Sequence, residues 1–252
     1  MHVVAVQMDM AWQDIAKNHA QARQLLADNP PSAGSLVIFP EMFATGFSMN
    51  LDATRDEGRS SQLLQELAAE YQCVTLGGIV GPVVDGAATN EAIAFAPDGS
   101  QLVRYVKQQP FSLSGEGGKY RAGNGHQIFQ WQGVQISPFI CYDLRFPERF
   151  RPAAAAGAEL IVVIACWPQV RSEHWVRLLQ ARAIENLAAV VGVNRCGEEP
   201  NLSFDGRSTA FDHMGVQLFE CDAKPQVVVA DIDIDEVRRW RSKFPALQDM
   251  RL

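Results

Sequence analysis

One cysteine, two glutamates and one lysine stand where their chemistry could be used. Cys141 follows the apolar run Val134 to Ile140 and precedes Tyr142-Asp143-Leu144-Arg145-Phe146-Pro147-Glu148. That spacing predicts a strand that stops abruptly, a tight polar turn, and a helix whose first turn takes Pro147, where a missing N–H costs nothing. A thiol at such an elbow is held at the mouth of a sheet, next to free backbone N–H groups that can steady negative charge. Nucleophiles are presented in this way. Glu41 follows the strand-like Leu36 to Phe39 through Pro40. If buried it must be paired or functional, because an isolated buried charge is too costly to keep; an exposed residue after a strand would look the same. Lys107 ends the alternating run Leu102 to Val106, and taken alone it reads as a solvated lysine. Glu116 lies in Gly115-Glu116-Gly117-Gly118, which taken alone reads as a flexible exposed turn.

These residues need a frame. Short apolar strands are predicted at Val3 to Met8, Leu36 to Phe39, Val74 to Val80, Glu91 to Ala96, Leu102 to Lys107 and Ile128 to Trp131. More follow at Val134 to Ile140, Leu160 to Ala165, Ala188 to Asn194, Ser208 to Phe211 and Val227 to Ile232. Helices fit Asp14 to Ala27, Ser60 to Tyr71, Pro147 to Ala156, Ser172 to Asn186 and Asp235 to Arg241. In the Ser172 helix, Ser172 is expected to cap, and Trp175, Leu178, Leu179, Ala183 and Leu187 form a stripe at helical spacing. Pro97-Asp98-Gly99, Trp131-Gln132-Gly133 and His213-Met214-Gly215 mark turns. Strand–helix–strand units at both ends and hairpins between them predict mixed sheets covered by helices. No linker divides residues 1–252, so a single domain is expected.

Composition narrows the partners. The chain has 252 residues, 47% of them apolar, and a net charge of −7 with scattered basic residues. A nucleic-acid or anionic-membrane surface is therefore not expected. No stretch approaches the roughly twenty apolar residues of a membrane span, and nothing in the first thirty residues resembles a secretory signal. A soluble cytoplasmic protein is the expectation. Cys73, Cys141, Cys166, Cys196 and Cys221 are widely spaced, which predicts free thiols rather than a disulfide framework. The five histidines are dispersed and no H-E-x-x-H helix occurs, so neither a metal nor another cofactor is expected.

Phe39-Pro40-Glu41, Lys107 in Tyr-Val-Lys-Gln-Gln-Pro-Phe, and Cys141 in Ile-Cys-Tyr-Asp-Leu-Arg-Phe-Pro-Glu resemble the three signature blocks of the nitrilase, or carbon–nitrogen hydrolase, superfamily. They come in that family's order, Glu116 falls where it carries a second glutamate, and Trp167-Pro168 and Arg182-Ala183-Ile184-Glu185-Asn186 are similar too. The likeness runs from Ala5-Val6-Gln7 to Asp231-Ile232-Asp233, and Pro40 to Met49 most resembles the ω-amidase branch. The resemblance implies an α/β fold, a four-layer α-β-β-α sandwich with two mixed β-sheets, and a homodimer formed through helical faces. It also implies thiol amidohydrolase chemistry on a small-molecule amide, with 2-oxoglutaramate and 2-oxosuccinamate as the branch's substrates. N-carbamoyl amino-acid hydrolysis is the alternative within the family. A catalytically silent scaffold or a redox-sensing thiol protein are the alternatives outside it.

Under this resemblance Glu41 takes the proton of Cys141 and later passes it to departing ammonia. Lys107 and the backbone N–H of Tyr142 hold the oxyanion, and Glu116 orients Lys107 and the substrate or acts catalytically itself. Trp167 is placed to line the pocket mouth, or simply packs. Phe43 and Phe47 either form a small apolar wall or fill the core. Arg145 is able to grip a substrate carboxylate bidentately, but a structural pairing with Asp143 or Glu148 is the expectation. Arg182 and Glu185 should form an ion pair on one helix. Cys73 and Cys166 read as inert core, and Cys196 and Cys221 carry no assigned role.

Overall fold

Parallel strands at the centre of each of two sheets set the geometry of this molecule, described here from a computed structural model covering residues 1–251. The chain opens with β1 (His2–Gln7), α1 (Ile15–Asp28), β2 (Leu36–Ile38), the short α2 (Leu51–Thr54), α3 (Arg59–Tyr71) and β3 (Val74–Val80). A meander follows, with β4 (Ala88–Phe95), β5 (Gln101–Val106) and the two-residue β6 (Tyr120–Arg121). Next come β7 (Phe129–Trp131), β8 (Val134–Ile140), α4 (Pro147–Ala155), β9 (Leu160–Ala165), α5 (Ser172–Asn186) and β10 (Ala189–Asn194). The chain continues through β11 (Cys196–Glu199), β12 (Leu202–Asp205), β13 (Thr209–Phe211), β14 (Gln217–Glu220), β15 (Gln226–Asp231) and α6 (Ile234–Lys243).

One sheet runs β15-β1-β2-β3-β4-β5, with β6 beside β4, and the other runs β14-β13-β10-β9-β8-β7. In the first, β1, β2 and β3 are parallel and β15, β4 and β5 are antiparallel to their neighbours. The second repeats the plan: β8, β9 and β10 are parallel, and β7 and β13 are antiparallel additions. The mixed sheets inferred from sequence are therefore observed, and the three turn signals join β4 to β5, β7 to β8 and β13 to β14.

Side-chain alternation builds the layers. On β1, Val3 and Ala5 join the core shared by the two sheets, whereas Val4 and Val6 pack outward under α1 and α3. Leu36 and Ile38 on β2 face in, and Val37 faces out. Both faces of these strands are buried, which is why they read as continuous apolar runs. α4 and α5 cover the far side of the second sheet, with Phe150, Ala153, Trp175, Leu179 and Ala183 in its core.

Helix ends explain most boundaries. Asp14 caps α1 by accepting from Lys17 N–H at 3.0 Å, and Pro147 occupies the first turn of α4. Ser172 does not cap α5, contrary to expectation. A 3₁₀ turn, Gln169–Arg171, feeds directly into the helix, and Ser172 Oγ instead donates to Asp205. The Arg182–Glu185 pair forms as expected, at 2.9 Å. The β11–β12 hairpin, β6, β14 and α2 had no clear sequence signal.

Candidate active site

The two parallel triplets point their carboxyl ends toward one cavity, the usual place for a site in sheets of this kind. Cys141 leaves β8 with φ 45°, in the left-handed region, as the first residue of a 3₁₀ turn spanning Cys141–Arg145. Asp143 holds that elbow. Its fully buried carboxylate accepts from Ile140 N–H at 3.0 Å, Gln109 N–H at 2.8 Å and the Tyr105 hydroxyl at 2.7 Å. Burial nonetheless pushes its carboxyl up to about 6, against these donors.

Glu41 follows β2 and is fully buried. Its Oε1 accepts from Lys107 Nζ at 2.9 Å and Asn90 Nδ2 at 2.7 Å, and its Oε2 from the Cys166 N–H at 2.8 Å. Gly78 allows the approach, since a Cβ there would lie 2.5 Å from Glu41 Cα. Lys107 is 1% exposed, the opposite of the solvated lysine its local sequence describes. Its ammonium also donates to both oxygens of Glu116, at 3.1 and 2.9 Å. Burial alone pulls that ammonium down, but Glu41 and Glu116 together outweigh it and hold it cationic. Glu116 is likewise fully buried, in a 3₁₀ turn tied by a 2.5 Å bond from Phe111 N–H. The glycines around it are exposed, as expected, but the 3₁₀ turn they form sends the Glu116 side chain inward.

Cys141 lies against this cluster. Burial, then the Glu41 charge, push its thiol well above the usual range, while Lys107 pulls it down. The resting group is a thiol, so a neighbouring proton acceptor is required for attack. Glu41 has that position.

A cavity of about 530 Å³ opens in front of Cys141, lined among others by Phe47, Phe111, Tyr142, Arg145, Trp167 and Arg171. Tyr142 and Trp167 therefore stand where the sequence placed them. Phe43 does not: it is buried 5.2 Å from the Phe39 ring and 5.9 Å from His19, in the layer between the first sheet and its helices. The chain turns after Glu41, so Phe47 becomes the wall instead, with Lys107 Nζ 4.9 Å from its ring. Arg145 also departs from expectation. It stacks 4.9 Å over Trp167 and lies 3.0 Å from His174 Nδ1, and among the described residues it pairs with neither Asp143 nor Glu148. Asp143 is already occupied by the elbow. Arg171 stacks 5.5 Å over Phe111 on the same cavity wall. Cys166 is not remote core but a neighbour of the site, with its Sγ 3.2 Å from the Glu41 carbonyl oxygen.

Sequence reasoning passed over Asn90, Arg171 and the Arg195–Glu199 pair. Glu199 accepts from Phe47 N–H at 3.3 Å and pairs with the fully buried Arg195, fixing the β11–β12 hairpin at the cavity wall. Asn90 stands between Thr89 and Glu91, just before the strand predicted from sequence, so nothing local marked it; once buried, its amide must find partners.

A buried Glu–Lys–Glu cluster against a thiol at a strand-to-helix elbow defines a class of thiol hydrolase, and comparison with known proteins agrees. The carbon-nitrogen hydrolase family model matches residues 2–242. The chain belongs to that family and is an amide-hydrolysing enzyme. It is 32% identical to omega-amidase YafV of Yersinia enterocolitica, over 99% of this chain and 96% of that protein. It is also 32% identical to the 2-oxoglutaramate amidase of Bacillus subtilis (strain 168), over 99% and 97%. The crystal structure of XC1258 from Xanthomonas campestris, a CN-hydrolase superfamily protein with an arsenic adduct in the active site, superposes with a TM-score of 0.92 at 31% identity, covering 100% of this chain and 97% of that one. The nitrilase-like α/β sandwich is thus the fold.

Proposed function

We propose that the protein hydrolyses the terminal amide of small α-keto acid ω-amides, such as 2-oxoglutaramate and 2-oxosuccinamate, to the dicarboxylic acid and ammonia. The observation that carries this reading is the meeting of Cys141 with the buried Glu41–Lys107–Glu116 cluster at one end of a cavity that also presents Arg145 and Arg171. Neither guanidinium has a carboxylate partner among the described residues, and a substrate carboxylate supplies one. Similarity to an omega-amidase and a 2-oxoglutaramate amidase supports the same acyl group.

In this mechanism Cys141 Sγ attacks the amide carbon as its proton moves to Glu41. The carbonyl oxygen becomes an oxyanion, met by Lys107 and by the Tyr142 N–H, which has no acceptor within the first turn of its own 3₁₀ segment. Collapse expels the amine, which takes the proton from Glu41 and leaves as ammonia, and the acyl group remains on sulfur as a thioester. Water then attacks with Glu41 again accepting a proton, and collapse returns the thiol and releases the acid. Glu116, saturated by Lys107, Asn90 and Phe111 N–H, positions the lysine.

The test is a substrate panel ranked by kcat/KM, comparing ammonia release from 2-oxoglutaramate and 2-oxosuccinamate with that from neutral aliphatic amides and with carbon dioxide release from N-carbamoyl amino acids. The α-keto ω-amides should lead by at least about tenfold, the effect expected of one charge-assisted contact. A lead for the carbamoyl compounds replaces this reading with carbamoyl hydrolysis.

A further inference from the structure

Asn90, on β4, is 1% exposed and is not among the residues that line the cavity. Its Nδ2 donates to Glu41 Oε1 at 2.7 Å and to Glu116 Oε1 at 2.9 Å. The same two oxygens accept from Lys107 Nζ, at 2.9 and 3.1 Å. Two donors and two acceptors therefore alternate around a closed ring. The Asn90 backbone carbonyl also accepts from Lys107 N–H at 2.9 Å, so one residue fixes both ends of the lysine. Asn90 Oδ1 is buried without a partner. That fixes the amide's orientation, because exchanging its oxygen and nitrogen would aim a carbonyl at two carboxylates. A buried acceptor left unpaired costs about 1–3 kcal/mol, so stability alone does not explain this choice of residue.

We infer that Asn90 is a positioning residue that holds Glu41 as the proton acceptor for Cys141 by giving Glu41 and Glu116 one shared, uncharged donor. This rests on the proposed pairing of Glu41 with Cys141. Two carboxylates meet one ammonium in the ring, and the Asn90 amide ties both carboxylates together without adding charge. A cation at position 90 would compete with Lys107 for the carboxylates, and a third carboxylate would repel both neighbours. Serine is too short to reach both oxygens. An asparagine amide satisfies both without altering the charge count.

Asn90→Asp, nearly identical in shape, tests this. The charged and titratable groups around the ring are Glu41, Lys107, Glu116 and Cys141, with Tyr120, Asp143, Cys166 and Glu199 behind them. Turnover of 2-oxoglutaramate should fall at least about tenfold in kcat with KM unchanged within about twofold. The pH midpoint for alkylation of Cys141 by iodoacetamide, corrected with a Cys141→Ala control, should rise by on the order of one unit. Asn90→Ala, which removes the donor without adding charge, should lose kcat with a smaller rise, and it carries the test if the aspartate variant does not fold. Retention of kcat within twofold, or loss of kcat with the midpoint unmoved, overturns the inference. If the wild type fails to hydrolyse 2-oxoglutaramate yet the midpoint still moves in Asn90→Asp, the substrate reading fails and the positioning role stands.

Discussion

The backbone N–H of Cys166 donates a 2.8 Å hydrogen bond to Glu41 Oε2, joining residues 125 apart in the chain that follow strands of different sheets. Glu41 follows β2, whereas Cys166 follows β9, the parallel neighbour of the strand that delivers Cys141. The acid is thus fixed against the sheet that carries the sulfur. Their separation is set by how the two sheets pack, with no local segment containing both.

Removing either member of that pair should separate chemistry from folding. Cys141→Ala is expected to lower kcat by at least about 1000-fold, because the attacking sulfur is lost. Glu41→Gln should cost about 100- to 10,000-fold through loss of proton transfer. It also places an NH₂ against one of three donors, so a stability loss of about 1–3 kcal/mol is expected. Ammonia release and urea unfolding on the same samples check both. Substantial turnover by Cys141→Ala would sink the thioester route.

A glycine outside the site should matter nearly as much. At Gly78 a new Cβ would meet Glu41 Cα and Met42 N at 2.5 Å, both backbone atoms that cannot rotate away. Gly78→Ala should displace Glu41, lowering kcat at least about tenfold and stability by about 1–3 kcal/mol through overpacking. Wild-type kinetics in this variant would show that Glu41 tolerates movement.

Arg145 offers a test of the acyl group. Replacing it with methionine keeps the contact with Trp167 but removes the charge. KM for 2-oxoglutaramate should rise about 10- to 100-fold, in line with loss of a charge-assisted pair, while kcat/KM for a neutral amide such as butyramide stays within a few-fold. An equal loss on both substrates would assign Arg145 a structural role.

Asp143 predicts a pH dependence. Its carboxyl is raised from 3.8 to about 6 in the folded protein, so between these values the folded state binds the extra proton. The stabilising contribution is complete below about pH 4 and is lost as pH rises through about 6. Urea unfolding of wild type and Asp143→Asn should therefore differ by a few kcal/mol more, in favour of wild type, at pH 4 than at pH 7. A difference independent of pH would show that Asp143 does not titrate in this window.

The elbow at Cys141 was legible because its signals are local: an apolar strand, a polar turn and Pro147 within fifteen residues. The strands of both sheets were visible for the same reason, through runs and alternation of apolar side chains. Lys107 and Glu116 were legible only through the family resemblance, since lysine after a strand and glutamate among glycines normally face water. Only their mutual neutralisation, with Glu41 as the third partner, makes burial affordable, and the three lie on separate segments. Phe43 and Phe47 show the same limit. They are four residues apart, and the turn after Glu41 sends one into the helical layer and the other to the cavity.

Taken by itself, the sequence determined the local geometry that lifts a thiol to the mouth of a sheet and the family in which that thiol occurs. Tertiary structure alone decided how the acids and the lysine named by that resemblance meet around it, that Arg145 is left facing the cavity, and that Asn90 closes the ring. The reason is physical: secondary structure is encoded by spacing over a few residues, but the energy of a buried charge depends on partners that only the packing of two sheets brings within reach.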